Sequence, residues 1–528
     1  MTAHTLLLNG KVVTLDESRP HADALVVRGD EIVYVGDNDG ARAYQQSDSA
    51  VLDLQGKLAL PAFTDAHIHF TGFAQSLENV DLRGCHSLNE ALARVRARVA
   101  QTAPGQLIWG GGWNNAEWDN PAFPDKRALD SVAPEHPVIL TRKDGHSIWL
   151  NSRALQDAHL TRDTVAPDGG VIDRDADGEP NGILRENAIE LLGGGIGAFG
   201  SAIRQDTLQR AIEYAHSRGV TAIHNIEDTN SMRAFQSLRA QNKLTLRVVH
   251  SIPIDKLPFA QALGVQRGLG DEWFRVQAVK IFTDGALGSH TAEMHEPYLD
   301  TPDQRGIAVT NSETMMDAAR RAAHADMDIW IHAIGDRAIT RVLDVYETLR
   351  AEGFTAPRFR IEHAQHLRPS DVTRFRALNV FASMQPIHQP SDMFVADAVL
   401  GPTRAAWTYA FRSLLDAGAA LAFGSDAPVE KLDPLLGIHA AVTRQNAQGE
   451  PADGWYPAQK ISVMDAVRAY TLGAAQAGGD EMRAGALAVG KRGDIVVLNQ
   501  NIFELPAREI QHATVAYTLS GGQVVYSA

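Results

Sequence analysis

Residues 60–69 read Leu60-Pro-Ala-Phe-Thr-Asp65-Ala-His67-Ile-His69, a short apolar run ending in polar groups two residues apart. On an extended strand, alternate side chains share a face and their Cα atoms lie about 6.6 Å apart. Two imidazoles at that spacing can converge on one metal ion. A single His-X-His pair is also an ordinary polar strand end, so the rest of the chain has to decide between the two readings.

Runs of the same kind recur outward from this one. Eight strand candidates are read at 60–69, 220–225, 246–251, 276–282, 328–332, 359–363, 380–384 and 420–425, with helical patterns at 207–218, 312–325, 339–352 and 463–472. Strands alternating with helices predict a (β/α)8 TIM barrel, whose active sites form at the C-terminal ends of the strands. About 150 residues separate the first strand from the second, far more than an ordinary connection. An inserted subdomain at about 75–205, capping the barrel mouth, is expected there. It holds Trp109, Trp113, Trp118 and Trp149, four of the eight tryptophans. Short strand–turn–strand patterns mark both ends, around Asn9-Gly10 and Gly29-Asp30 and again around Gly521-Gly522. Isolated hairpins are marginal, so residues 1–57 and 484–528 are expected to build one small β-sandwich, with the barrel spanning 58–483.

The chain has 528 residues and a net charge of −15, which argues against a nucleic-acid partner needing a basic footprint. Cys85 is the only cysteine, so neither an intramolecular disulfide nor a thiolate metal cluster can form. No basic, long-apolar leader opens the sequence, and no uncharged apolar run reaches the roughly 20 residues of a membrane span. A cytoplasmic enzyme acting on a small molecule, without nucleic-acid or membrane partners, is expected; self-association into a homo-oligomer is left open.

Chemistry-bearing residues sit at or near the ends of the predicted strands. His332 closes Met327-Asp-Ile-Trp-Ile-His332, and His363 closes Phe359-Arg-Ile-Glu-His363. Asp426 follows Leu421-Ala-Phe-Gly-Ser425, and Lys280 lies in Arg275-Val-Gln-Ala-Val-Lys280. Packing accounts for one such residue more readily than for five on five strands. Lys280 is the odd member, because an ammonium donates no lone pair to a cation. It is either a buried ion-pair partner or chemically altered.

The set His67-Ile-His69, Lys280 in VKIFTDGALGS, His332 in IHAIGDRAI, His363 in RIEHAQ and Asp426 in FGSDAPV resembles the amidohydrolase superfamily. More narrowly it looks like the YtcJ-like branch, amidohydrolase family 3, which includes N-substituted formamide deformylases. The resemblance runs over nearly the whole chain. It implies a binuclear centre in which His67, His69 and Asp426 bind one divalent metal and His332 and His363 the other. Lys280, carboxylated by carbon dioxide, would bridge them. Zinc suits this ligand set best. The implied reaction is hydrolysis of an amide-type C–N bond in an N-acyl or N-formyl amine. Water bound to two cations ionises near neutral pH, and Asp426 shuttles its proton to the leaving nitrogen. Rival readings are a mononuclear deaminase, which would not need Lys280, and a catalytically silent binding or regulatory member.

Other residues carry weaker signals. His146, in DGHSIWLNSRAL, resembles a substrate-contact segment or else holds its own loop. His290 stands where the family pattern leads us to expect arginine after GALGS, and is read as a substrate-side residue. Trp113 and Trp407 are read as apolar substrate contacts, with packing of the cap as the alternative. Asp284 and His224 are read as supports behind the metal ligands, or as turn and core residues. Glu362 is read as pointing away from His363 by strand alternation, and so not as a ligand.

Overall fold

The computed structural model describes residues 4–115, 118–142, 147–167, 170–192 and 203–528. Eight parallel strands follow one another around a nearly closed barrel: β1 (Phe63–Ile68), β2 (Val220–Asn225), β3 (Arg247–Pro253), β4 (Phe274–Phe282), β5 (Asp328–Ala333), β6 (Phe359–His363), β7 (Val380–Met384) and β8 (Ala420–Phe423). Beyond the end of β8, Asp426 N–H donates to His67 O at 2.7 Å and Ser425 N–H to Asp65 Oδ1 at 3.0 Å, joining the first and last strands. Strands β1, β5, β6 and β7 are buried along their whole length, which is why they read as apolar runs without alternation. The helix Asp336–Ala351 buries Ile339, Val342, Leu343, Tyr346 and Leu349, one stripe at helical spacing. The helix Ser312–His324 starts where the Asn311 side chain accepts the Thr314 N–H.

The opening run corrects one expectation. Residues 60–69 do not form a single strand: Leu58–Pro61 pairs with Ile495–Leu498 and Lys11–Val13, and only Phe63–Ile68 enters the barrel. Ala62 N–H donates to Asp494 O, so the chain crosses from one sheet to the other at that residue. The strand pairs join the two ends of the chain in a six-stranded sheet, which also holds His21–Ala22, Val515–Ser520 and Gln523–Ser527. A four-stranded sheet of His4–Leu8, Ala24–Arg28, Glu31–Gly36 and Ala50–Asp53 shares its core, where Leu7, Leu25 and Val27 meet Val497 and Leu519.

Residues Ala74–Leu208 form a separate compact unit. Its six-stranded sheet encloses Trp113, Trp118 and Trp149, whose ring centroids lie 6.1–6.4 Å apart. This corrects the reading of Trp113 as a substrate contact. Its ring is wholly buried in that core and its Nε1–H is satisfied by Leu140 O at 2.8 Å. Among the described residues no helix is long and apolar enough to cross a membrane.

Buried imidazoles, His250 and His216 among them, are expected to make the fold acid-sensitive. Burial holds His250 and His216 down to about 4. His250 Nδ1 accepts from the Asn225 amide at 3.1 Å, so a proton there would oppose a donor. Above the free-histidine pKa both folded and unfolded states are neutral. As pH falls below it, only the unfolded state takes up protons, and stability is lost down to the folded value. Each imidazole is expected to cost about 2 kcal/mol by pH 5. Urea unfolding at pH 5 and pH 7.5 checks this; equal stabilities would contradict it.

Candidate active site

The end of β1 and the turn after β8 bring His67, His69 and Asp426 together, with one ligand atom from each inside a 4.8 Å cluster. Asp426 Oδ1 lies 3.5 Å from His67 Nε2 and 3.4 Å from His69 Nε2. It is buried and, among the described residues, accepts no hydrogen bond. Asp426 is held in the left-handed region, φ 57°, a strained setting common at functional sites. Gly424 allows the close approach: a Cβ there would stand 2.5 Å from His67 N and 2.7 Å from Asp65 Oδ1. Asp65 accepts the His67 and Ser425 N–H groups, and burial raises its carboxyl to about 7.

The other nitrogen of His67 is engaged. Nδ1 lies 2.5 Å from Glu362 Oε2, and both side chains are buried. Burial raises the carboxyl of Glu362, but the nearby charges of Arg360 and Lys280 outweigh it and hold the group below its ordinary range. An ionised carboxylate only accepts, so the proton between them sits on Nδ1 and Nε2 keeps its lone pair. That lone pair faces Asp426 Oδ1. Two acceptors opposed at this range suit a bound cation, so the donor set fits a divalent metal.

His363 and His332 continue the cluster. Ring centroids are 4.6 Å apart for His67 and His363, and 4.5 Å apart for His363 and His332. His363 Nδ1 is tied to Gln385 Oε1 at 2.8 Å, leaving Nε2 free. Burial, reinforced by neighbouring positive groups, holds His67 and His363 far below the usual imidazole range, so both are neutral as metal ligands must be. Asp284 accepts from the Ile334, Gly335 and Glu293 N–H groups and lies 3.4 Å from His332 Nε2. It thereby braces the loop after β5.

Lys280, on β4, is buried and its Nζ makes no hydrogen bond among the described residues; it lies 4.8 Å from the centre of the Phe282 ring. Burial lowers its ammonium to about 8, with Glu362 and Asp426 opposing that shift. An unsatisfied buried amine of this kind is costly and reactive.

The remaining candidates lie elsewhere. His224 accepts from Arg360 Nη1 at 2.8 Å and packs on Trp330. His290 Nε2 pairs with Asp300 at 2.9 Å and its ring meets Tyr298 edge-on. Trp407 is half-buried before β8, its carbonyl accepting from Leu367 N–H. His146 lies outside the described residues. The sequence places Glu362 facing away from His363, whereas its carboxylate meets His67 inside the barrel, and it gives no reading of Arg360 or Gln385. Nor does it give one of Glu227, whose carboxylate accepts the Thr71 and Gly72 N–H groups at 2.8 Å and anchors the helix that follows His69. For Glu362 and Arg360 a signal existed: two opposite charges two apart, hence on one face, in a short strand buried along its whole length.

The geometry can be set beside known proteins. Residues 50–526 match the model of the Amidohydrolase family. The chain belongs to the amidohydrolase family. This amidohydrolase is 35% identical over 540 residues to the protein LONG AFTER FAR-RED 3 of Arabidopsis thaliana, covering 100% of the chain and 92% of that protein. It is 28% identical over 544 residues to an N-substituted formamide deformylase of Arthrobacter pascens, covering 99% and 98%. Its fold matches the crystal structure of an uncharacterized metal-dependent hydrolase from Pyrococcus horikoshii OT3 with a TM-score of 0.81 at 29% identity, covering 96% of this amidohydrolase and 99% of that chain.

Proposed function

We propose that this amidohydrolase cleaves the amide-type C–N bond of an N-acyl or N-formyl amine at a centre of two divalent ions, zinc by preference. The observation that carries the reading is the convergence of His67 Nε2, His69 Nε2 and Asp426 Oδ1 beside a buried lysine amine that has no hydrogen-bond partner among the described residues. His67, His69 and Asp426 would hold one ion and His332 and His363 the other, with carboxylated Lys280 between them. A metal pair supplies a water of lowered pKa and an electrophile for the carbonyl oxygen.

The chain's own residues do the rest. Neutral Lys280, plentiful near pH 8, attacks carbon dioxide through its amine nitrogen and loses one proton to solvent, leaving an anionic carbamate. Asp426 accepts the proton of the attacking water and returns it to the nitrogen as the C–N bond breaks. Amide nitrogen leaves poorly without that proton, so the step calls for general acid catalysis. His69, one-third exposed, is the most open of the three side chains, so substrate would reach the cluster from its side. The likeness to a formamide deformylase supports the choice of bond.

The test is a panel of N-formyl and N-acyl amines incubated with zinc- and bicarbonate-loaded protein in 18O-water. Amine release with one 18O in the acid product, stopped by chelator, is expected for at least one member. No turnover across the panel, with ring amidines deaminated instead, would overturn the reading.

A further inference from the structure

Arg360 and Glu362 stand on β6 inside the barrel, wholly buried, below the histidines rather than among them. Arg360 Nε lies 2.8 Å from Glu362 Oε1, and Nη2 donates to Oε2 at 3.0 Å. The same guanidinium donates to Ala66 O on β1 at 2.6 Å, to Ser383 Oγ on β7 at 2.8 Å and to His224 Nδ1 on β2 at 2.8 Å. It also lies 4.0 Å from the centre of the Trp330 ring on β5. One side chain thus touches four strands besides its own, and it holds Glu362 by the Nη2 hydrogen bond and by charge. Glu362 Oε2 in turn meets His67 Nδ1 at 2.5 Å.

We infer that Glu362, clamped by Arg360, is a positioning residue that fixes His67 as the Nδ1–H tautomer and aims its Nε2 at the metal-binding face. The inference rests on the metal-centre reading for its consequence, though not for its geometry. A metal-binding imidazole whose second nitrogen donates to a carboxylate is held in one tautomer and one ring orientation, and becomes the stronger base. His67 has a special need of this. It is the buried member of the His67–His69 pair, so solvent cannot sort its tautomers. In the other tautomer its Nε2–H would face Asp426 Oδ1, shutting out a cation. A residue that merely balanced the charge of Arg360 would not need contact with His67.

The experiment uses the full-length metal-free protein labelled with 15N-histidine, with the His67 resonances assigned by their loss in His67→Asn. In the wild type, His67 is expected as the pure Nδ1–H tautomer. Glu362→Gln keeps an accepting oxygen and should keep that tautomer, with most of the zinc affinity. Glu362→Met removes the acceptor: His67 should become a tautomer mixture, and the zinc Kd should rise about 10–100-fold. Because Glu362→Met strands a buried guanidinium, the double variant Arg360→Met/Glu362→Met is measured beside it and should show the same losses. An Nε2–H wild type would overturn the inference. So would a folded Met variant, single or double, with unchanged tautomer and a zinc Kd within about threefold. A wild type that binds no zinc would sink the metal-centre reading instead, with the tautomer result still deciding the role of Glu362.

Discussion

Asp426→Asn is expected to lower kcat by about a thousandfold or more, the range in which a general acid–base and a metal ligand are lost together. Asp426 Oδ1 lies 3.5 Å from His67 Nε2 and 3.4 Å from His69 Nε2, and among the described residues it has no hydrogen-bond donor. Asparagine keeps the size, so the left-handed backbone at this position, which asparagine tolerates well, should survive. What changes is charge: an amide neither attracts the cation strongly nor holds a proton between water and the leaving nitrogen. Steady-state kinetics with metal content measured on the same sample check the result. A variant keeping more than about a tenth of wild-type kcat at full metal loading would remove Asp426 from the chemistry.

Lys280→Ala should take metal and activity away together. We expect metal content to fall from about two ions per chain to one or none, with kcat/KM down at least about a hundredfold. The amine is buried and, among the described residues, has no hydrogen-bond partner, and burial brings it to about 8, where the nucleophilic free base is abundant. Incubation with 13C-bicarbonate should give the wild type a carbamate carbon resonance that Lys280→Ala lacks. Full activity in Lys280→Ala would end the bridging role.

Much of the barrel was legible because its strands are buried on both faces. Val220–Asn225, Phe359–His363 and Val380–Met384 stand at the residues where their apolar runs place them. The first strand was less legible, since Leu58–Pro61 and Phe63–Ile68 are both buried along their whole length and follow each other after one residue. Only the pairing partner, which no local pattern carries, separates them. The site was read from strand ends, and His67, His69 and Asp426 do meet.

Glu362 escaped for a specific reason. Alternation places neighbours on opposite faces, and choosing His363 as inward sent Glu362 outward. In the structure His363 and Ala364 have φ of 72° and 44°, so the backbone turns as the strand ends. Glu362 keeps the interior face with Arg360, while His363 swings to the cluster. Trp113 misled in the opposite sense: a large aromatic ring in an insertion suits a pocket or a core equally well, and here it fills the core.

The proposed chemistry stands on the histidine–carboxylate cluster and Lys280 holding a pair of metal ions. Elemental analysis of protein purified without chelator, expressed as metal per chain, tests it most directly. About two zinc-like ions per chain are expected. A chain that stays metal-free after reconstitution with zinc and bicarbonate would contradict it.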